Sequence, residues 1–159
     1  MHELLKVNCY HDQSLSQNRV DVYYNEKDKE VSALLTFLEE TQKLIGRKNG
    51  IEKRLTLGEI YYFEAVEKKC FAYLEKQVYQ VEANLQSLEE KYGKVGFVRI
   101  NKSMVLNLLK IDELKACVNM KTQAILENGE VVVINRSYKK QFAKRLKEFK
   151  QGVIDHETN

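Results

Sequence analysis

The chain has 159 residues, 43% of them hydrophobic and 31% charged, with a net charge of only +3. Those figures fit one soluble domain with a sizeable core and exclude a polyanion-binding protein that announces itself by composition. No run approaches the ~20 apolar residues of a membrane span, and MHELLKVNCYHD lacks the cationic start and apolar core of a signal peptide, so a cytoplasmic location is expected.

Taken in order, residues 4–10 (LLKVNCY) alternate well enough for a strand, and Val20 to Tyr24 read as a second. Val31, Leu34, Leu35, Leu38 and Ile45 then follow helical spacing, with Asn25 or Asp28 to cap the start and Gly46 to close the end. Residues 1–46 thus form a strand–strand–helix unit, too short for a receiver domain. Arg47 to Gly50 reads as a polar linker and boundary. Short β-branched and aromatic runs follow: Lys53–Leu57, Ile60–Phe63, Cys70–Leu74 and Val78–Val81, with VEKK as a turn. Leu85, Leu88 and Tyr92 mark a helix that Gly93 ends. Ile111 to Asn119 is a further strand, and Asn128-Gly129 joins Gln123–Leu126 to Val131–Ile134 in a hairpin. The last element, Ser137 to Lys150, is a basic helix with Tyr138, Phe142, Leu146 and Phe149 on its apolar side. The expected architecture is mainly β with peripheral helices (α+β): an N-terminal β/α extension over 1–46, a β-rich domain over 47–151 and a flexible tail over 152–159.

Cys9, Cys70 and Cys117 are odd in number and widely spaced, with no CxxC or Cys/His cluster. Neither a disulfide framework nor a metal site is indicated; reduced, buried cysteines are the default, and no cofactor is expected.

The most informative stretch is Gly96 to Asn107, GFVRINKSMVLN, where Arg99, Asn101, Lys102 and Ser103 stand between two apolar anchors. Arg, Lys and Asn meet phosphates and base edges. Two more polar tips resemble it. One holds Glu67, Lys68 and Lys69; the other holds Asn135, Arg136, Ser137, Tyr138, Lys139 and Lys140 at the start of the basic helix. Free N–H groups at a helix start suit a phosphate. Each tip alone is equally an ordinary solvated turn.

The blocks EIYYFEAVEKKCFAY, ANLQSLEE, GFVRINKSMVLNLLKI and LENGEVVVINRSYKKQF closely resemble the LytTR DNA-binding domain of bacterial transcription regulators, over roughly residues 50–150. The resemblance implies elongated antiparallel sheets whose loops, rather than a recognition helix, enter successive major grooves of double-stranded DNA. By position it places the first base-contacting loop on Lys68, Lys69 and Cys70, the second on Lys102 within Asn101 to Ser103, and the third on Arg136. Lysines replace the His, Asn or Arg of some members, and Asn135 replaces the usual Ser, so the target sequence does not carry over. The short N-terminal unit resembles stand-alone members without a receiver. For these the resemblance implies a homodimer on paired half-sites and a small membrane protein as a restraining partner. The function expected is therefore a sequence-specific DNA-binding transcriptional regulator, not an enzyme, with no small-molecule substrate. The alternatives are an RNA-binding module, with Tyr61, Tyr62 and Phe63 as stacking surfaces, and a non-enzymatic protein-interaction module.

Overall fold

The structure, a computed structural model, describes residues 5–41 and 44–157. Among these residues are three α-helices, α1 (Lys29–Thr41), α2 (Leu85–Tyr92) and α3 (Arg136–Glu157), and ten strands: β1 (Ile45–Lys48), β2 (Ile51–Arg54), β3 (Tyr62–Val66), β4 (Lys69–Tyr73), β5 (Val78–Val81), β6 (Phe97–Asn101), β7 (Met104–Asn107), β8 (Ile111–Ala116), β9 (Thr122–Leu126) and β10 (Val131–Ile134). The strands make two antiparallel sheets, one in the order β2-β1-β5-β4-β3-β7-β6 and one in the order β10-β9-β8. Short polar turns join consecutive strands such as β3–β4, β6–β7 and β9–β10, whereas the β1–β5 and β3–β7 pairs bring together segments distant in sequence.

Strand alternation divides the larger sheet between two cores. On one face Phe63, Phe97 and Val105 pack with Leu85, Leu88 and Tyr92 of α2. On the other, Tyr62, Val98, Ile100 and Leu106 pack with Ala124, Leu126, Val132 and Ile134 of the smaller sheet and with Phe142 of α3. α2 begins in a reciprocal capping box between Asn84 and Ser87. The apolar side of α3 is the one its spacing indicates, with Tyr138, Leu146 and Phe149 against the second core. Asn107 is a buried polar residue within the hairpin. Its amide donates to the Ile60 carbonyl at 2.8 Å and accepts from the Leu109 N–H at 3.1 Å, so burial leaves neither end unpaired.

The N-terminal reading needs correction. No strand forms within residues 5–28. Leu5, Val7, Tyr10, Val20 and Tyr23 are exposed, and alternation without a partner strand does not hold a strand together. Residue 4 lies outside the described residues. Asp28 does cap α1, accepting from the Val31 N–H at 2.8 Å. The helix is described from Lys29 to Thr41, and Gly46 is not its closing residue. Gly46 sits in β1, where an added Cβ would lie 2.6 Å from the Tyr79 Cβ, so its role is close backbone approach. Arg47 to Gly50 is no linker either. Arg47 and Lys48 complete β1, and Asn49-Gly50, both at positive φ, turn the chain into β2. The strand read as Ile111–Asn119 ends at Ala116. Residues 152–157, read as a tail, continue α3. No proline interrupts this polar, helix-compatible run. Thr158 and Asn159 lie outside the described residues. Of the cysteines, only Cys70 is buried; Cys9 is exposed and Cys117 half-buried.

Candidate nucleic-acid interface

Antiparallel pairing brings the three polar tips to one edge. β3 ends at Val66 and β4 starts at Lys69, so Glu67 and Lys68 make the turn between them. Both have positive φ (50° and 67°), which closes a tight hairpin without side-chain help. β7 pairs with β3, and the turn at Lys102-Ser103 therefore lies at the same end. The Ala65 N–H donates to the Ser103 carbonyl at 2.8 Å and ties the two turns together. Neighbouring strands are about 4.8 Å apart, so two turns centred two strands apart stand roughly 10 Å from each other.

The third tip reaches this edge from the other sheet. β10 ends at Ile134, and the N–H of Asn135 donates to the Ile100 carbonyl in β6 at 3.0 Å. The Asn101 side chain adds a bond to the Val133 carbonyl at 3.3 Å. Arg136, the first residue of α3, thus emerges beside the Lys102 turn.

Residues at the tips divide into builders and free groups. Arg99 is half-buried; its Nε donates to the Asn101 carbonyl at 2.8 Å, and its Nη2 donates to the Lys102 carbonyl. Asn101 Oδ1 accepts from the Ser103 N–H at 2.9 Å and from its hydroxyl at 3.0 Å, the short local bonding that makes Asn a turn residue. Arg99, Asn101 and Ser103 therefore hold the hairpin tip in shape. Tyr138 is half-buried against the second core, its N–H bonded to the Asn135 carbonyl at 2.9 Å. Lys139 is also half-buried. Lys68, Lys69, Lys102, Arg136, Ser137 and Lys140 are exposed, and among the described residues no side-chain hydrogen bond or ion pair engages them. Cys70 turns inward, away from the turn it follows, because odd and even residues of β4 face opposite ways. Burial pushes its thiol up to about 11. Of the other cations on α3, Arg145 donates to the Gly93 carbonyl and is a fastening residue.

Tyr61, Tyr62 and Phe63 are all buried, so the stacking platform required by the RNA-binding alternative is absent from this surface. A cavity of about 470 Å³ lies between β1, β5 and α2, away from the tips. Its acids do not converge on a reaction centre: Arg47 pairs with Glu52 and with Glu82, each at 2.8 Å. Among the described residues no group of His, Cys, Asp and Glu has the arrangement of a metal site, and no helix is long and apolar enough to cross a membrane.

One exposed turn escaped the sequence reading. Ala116, Thr122 and Ile134 lie in one row across the smaller sheet. The loop Cys117–Lys121 therefore leaves from the same end as Arg136. Asn119, tolerant of positive φ, was the available signal within a stretch otherwise legible as strand.

Residues 53–147 match the family model of the LytTr DNA-binding domain, well over half of the chain. The chain is 34% identical over 88 residues to the "Sensory transduction protein LytT" of Enterococcus faecalis, covering 55% of this chain but 36% of that protein. It therefore spans about a third of that relative's length. An uncharacterized HTH-type transcriptional regulator of Staphylococcus aureus is 20% identical over 146 residues, covering 90% of this chain and 99% of the other. A solved LytTr DNA-binding domain from Bacillus cereus superposes with a TM-score of 0.61 at 24% identity, covering 64% of this chain and 94% of that one. The architecture is that of LytTR domains, mostly antiparallel sheets with three helices. The chain belongs to the LytTR family, the DNA-binding domains of bacterial transcription regulators.

Proposed function

We propose that the chain binds duplex DNA sequence-specifically by inserting the β3–β4, β6–β7 and β10–α3 turns into successive major grooves. The observation that supports this reading is the set of three hydrogen bonds joining the turns: Ala65 to Ser103, Asn101 to Val133 and Asn135 to Ile100. They form one stiff edge from which Lys68, Lys69, Lys102 and Arg136 project unpaired. Arg136 has the fork to read guanine; Lys102 and the lysines of the first turn reach guanine edges or phosphates. Ser137 and the first N–H groups of α3 hold a phosphate, with Lys139 and Lys140 adding charge. Arg99, Asn101 and Ser103 contribute by shaping the second turn.

Repression or activation through paired half-sites requires two copies at fixed spacing. We assign that role to the N-terminal residues. α1 buries Val31 but leaves Leu34 exposed, and Leu5, Val7, Tyr10 and Tyr23 are exposed beside it in sequence. A second copy of the same apolar surface covers them in this reading. A small membrane protein is the restraining partner suggested by resemblance to stand-alone family members. Failure to co-purify with the chain or to change its DNA occupancy in cells counts against it.

The test is selection of random duplexes by the whole chain. A recurrent paired motif is expected, bound with a salt slope of about −0.9 per phosphate contacted. Arg136→Ala should weaken binding by about 1–3 kcal/mol and relax one base position. Absence of any enriched duplex, or preference for single-stranded RNA in competition, overturns the reading.

A further inference from the structure

The loop Cys117–Lys121 has features that a mere connection between β8 and β9 does not require. The Cys117 N–H donates to the Lys121 carbonyl at 2.9 Å, closing the loop so that Val118, Asn119 and Met120 stand beyond it. Val118 is 84% exposed and Met120 57%. Asn119 and Met120 both have positive φ, 63° and 58°. Asn-Gly suits such a pair of residues best, yet the second position carries a long apolar side chain. Met at that backbone conformation is strained, and strain of this kind points to a use for the side chain. The loop leaves the sheet from the row that holds Ile134, one residue before Asn135 is bonded to β6. It therefore extends the edge of free cations by one more turn, with exposed Lys121 at its foot.

We propose that this loop is a fourth DNA contact, in which Val118 and Met120 lie against thymine methyl groups flanking the bases read by Arg136, while Lys121 meets a phosphate. The proposal rests on the reading of the edge as DNA-facing. Its chemistry follows from the side chains. Val has no hydrogen-bonding atom and the Met thioether is only a weak acceptor, and the thymine C5-methyl is the apolar group that the major groove displays. Continuity with the other tips favours the major groove over insertion of an apolar wedge between base steps in the minor groove.

The experiment uses the whole chain on a duplex selected by it. The variant Val118→Ser/Met120→Gly creates the favoured Asn-Gly pair, so folding is not at risk and the melting temperature should hold or rise. Its affinity should fall about 3- to 10-fold, and selection should lose its flanking thymines while keeping the base read by Arg136. Replacing the flanking thymines by uracil removes only the methyl groups. It should weaken the parent chain to a similar degree and leave the variant unaffected. Lys121→Ala should reduce the salt slope by about one phosphate contact. If the double variant binds and selects as the parent does while Arg136→Ala is impaired, the loop makes no contact, and the reading of the other three tips survives. If uracil leaves the parent's affinity unchanged, or the loss accompanies a change in DNA bending, the methyl assignment is wrong. If Arg136→Ala also changes nothing, the DNA-facing edge itself falls and this proposal with it.

Discussion

The β3–β4 and β6–β7 turns stand side by side on one edge and are built by different means. At Glu67-Lys68 the backbone itself makes the turn, with both residues at positive φ and no side-chain hydrogen bond among the described residues. At Lys102-Ser103 the flanking side chains make it. Arg99 closes on the Asn101 and Lys102 carbonyls, and Asn101 bonds Ser103 and reaches across to Val133. The first turn thus leaves both of its lysines free, whereas the second uses its arginine and asparagine as struts and leaves one lysine. A cation in a polar motif has two possible uses, and the partners of its guanidinium or ammonium group decide between them.

Substitutions that act on one turn at a time sharpen this comparison. The largest effect is expected at the foundation of the second turn. Asn107→Leu leaves the Ile60 carbonyl and Leu109 N–H without their buried partner, and should lower unfolding free energy by about 2–4 kcal/mol in denaturant titrations. Arg99→Ala comes next. Losing a charged donor to two carbonyls should reduce stability by about 1–2 kcal/mol, and DNA binding should weaken through a loosened tip. Lys102→Ala, its neighbour, should weaken DNA binding with the melting temperature unchanged. If the two variants behave alike in melting, the distinction between strut and free group is lost.

A smaller effect is expected from Lys68→Gly. Glycine tolerates the positive φ of that position, so stability should be level or rise by about 0.5 kcal/mol while affinity for DNA falls. A drop in stability would mean that the first turn does rely on its side chain. The smallest effect belongs to Cys70, at the foot of the same turn. Burial raises its thiol from 9.0 to about 11. A group held protonated in the fold stabilises fully below its unfolded value, and that contribution is lost as pH rises from about 9 to about 11. Denaturation curves across this window should steepen their decline in the parent chain relative to Cys70→Ala. Under native conditions a thiol reagent should modify exposed Cys9 well before Cys70.

Much of this was legible in the residues. Val78–Val81, the Asn128-Gly129 hairpin, the Leu85–Leu88–Tyr92 stripe and the apolar side of α3 depend on local periodicity, and the structure keeps them. The tips at Lys68, Lys102 and Arg136 were legible as polar interruptions. Three things were not. Residues 5–10 and 20–24 alternate as strands do, but no neighbouring strand pairs with them. Gly46 resembles a helix stop because its crowding against Tyr79 and Leu55 comes from distant segments. The partners of Arg99 were hidden because the geometry of its own turn, invisible in a one-dimensional motif, directs it to two carbonyls.

By itself the sequence determined the family, the strand alternation that separates two cores, and the chemical character of the turns, because each of these is written in neighbouring residues. Tertiary structure alone decided which cations are free and which are fastened. The fastenings of Arg99 and Arg145 run to main-chain carbonyls, and where such a carbonyl comes to lie depends on how the chain folds back, as do the bonds of Asn101 to Val133 and of the N–H before Arg136 to Ile100.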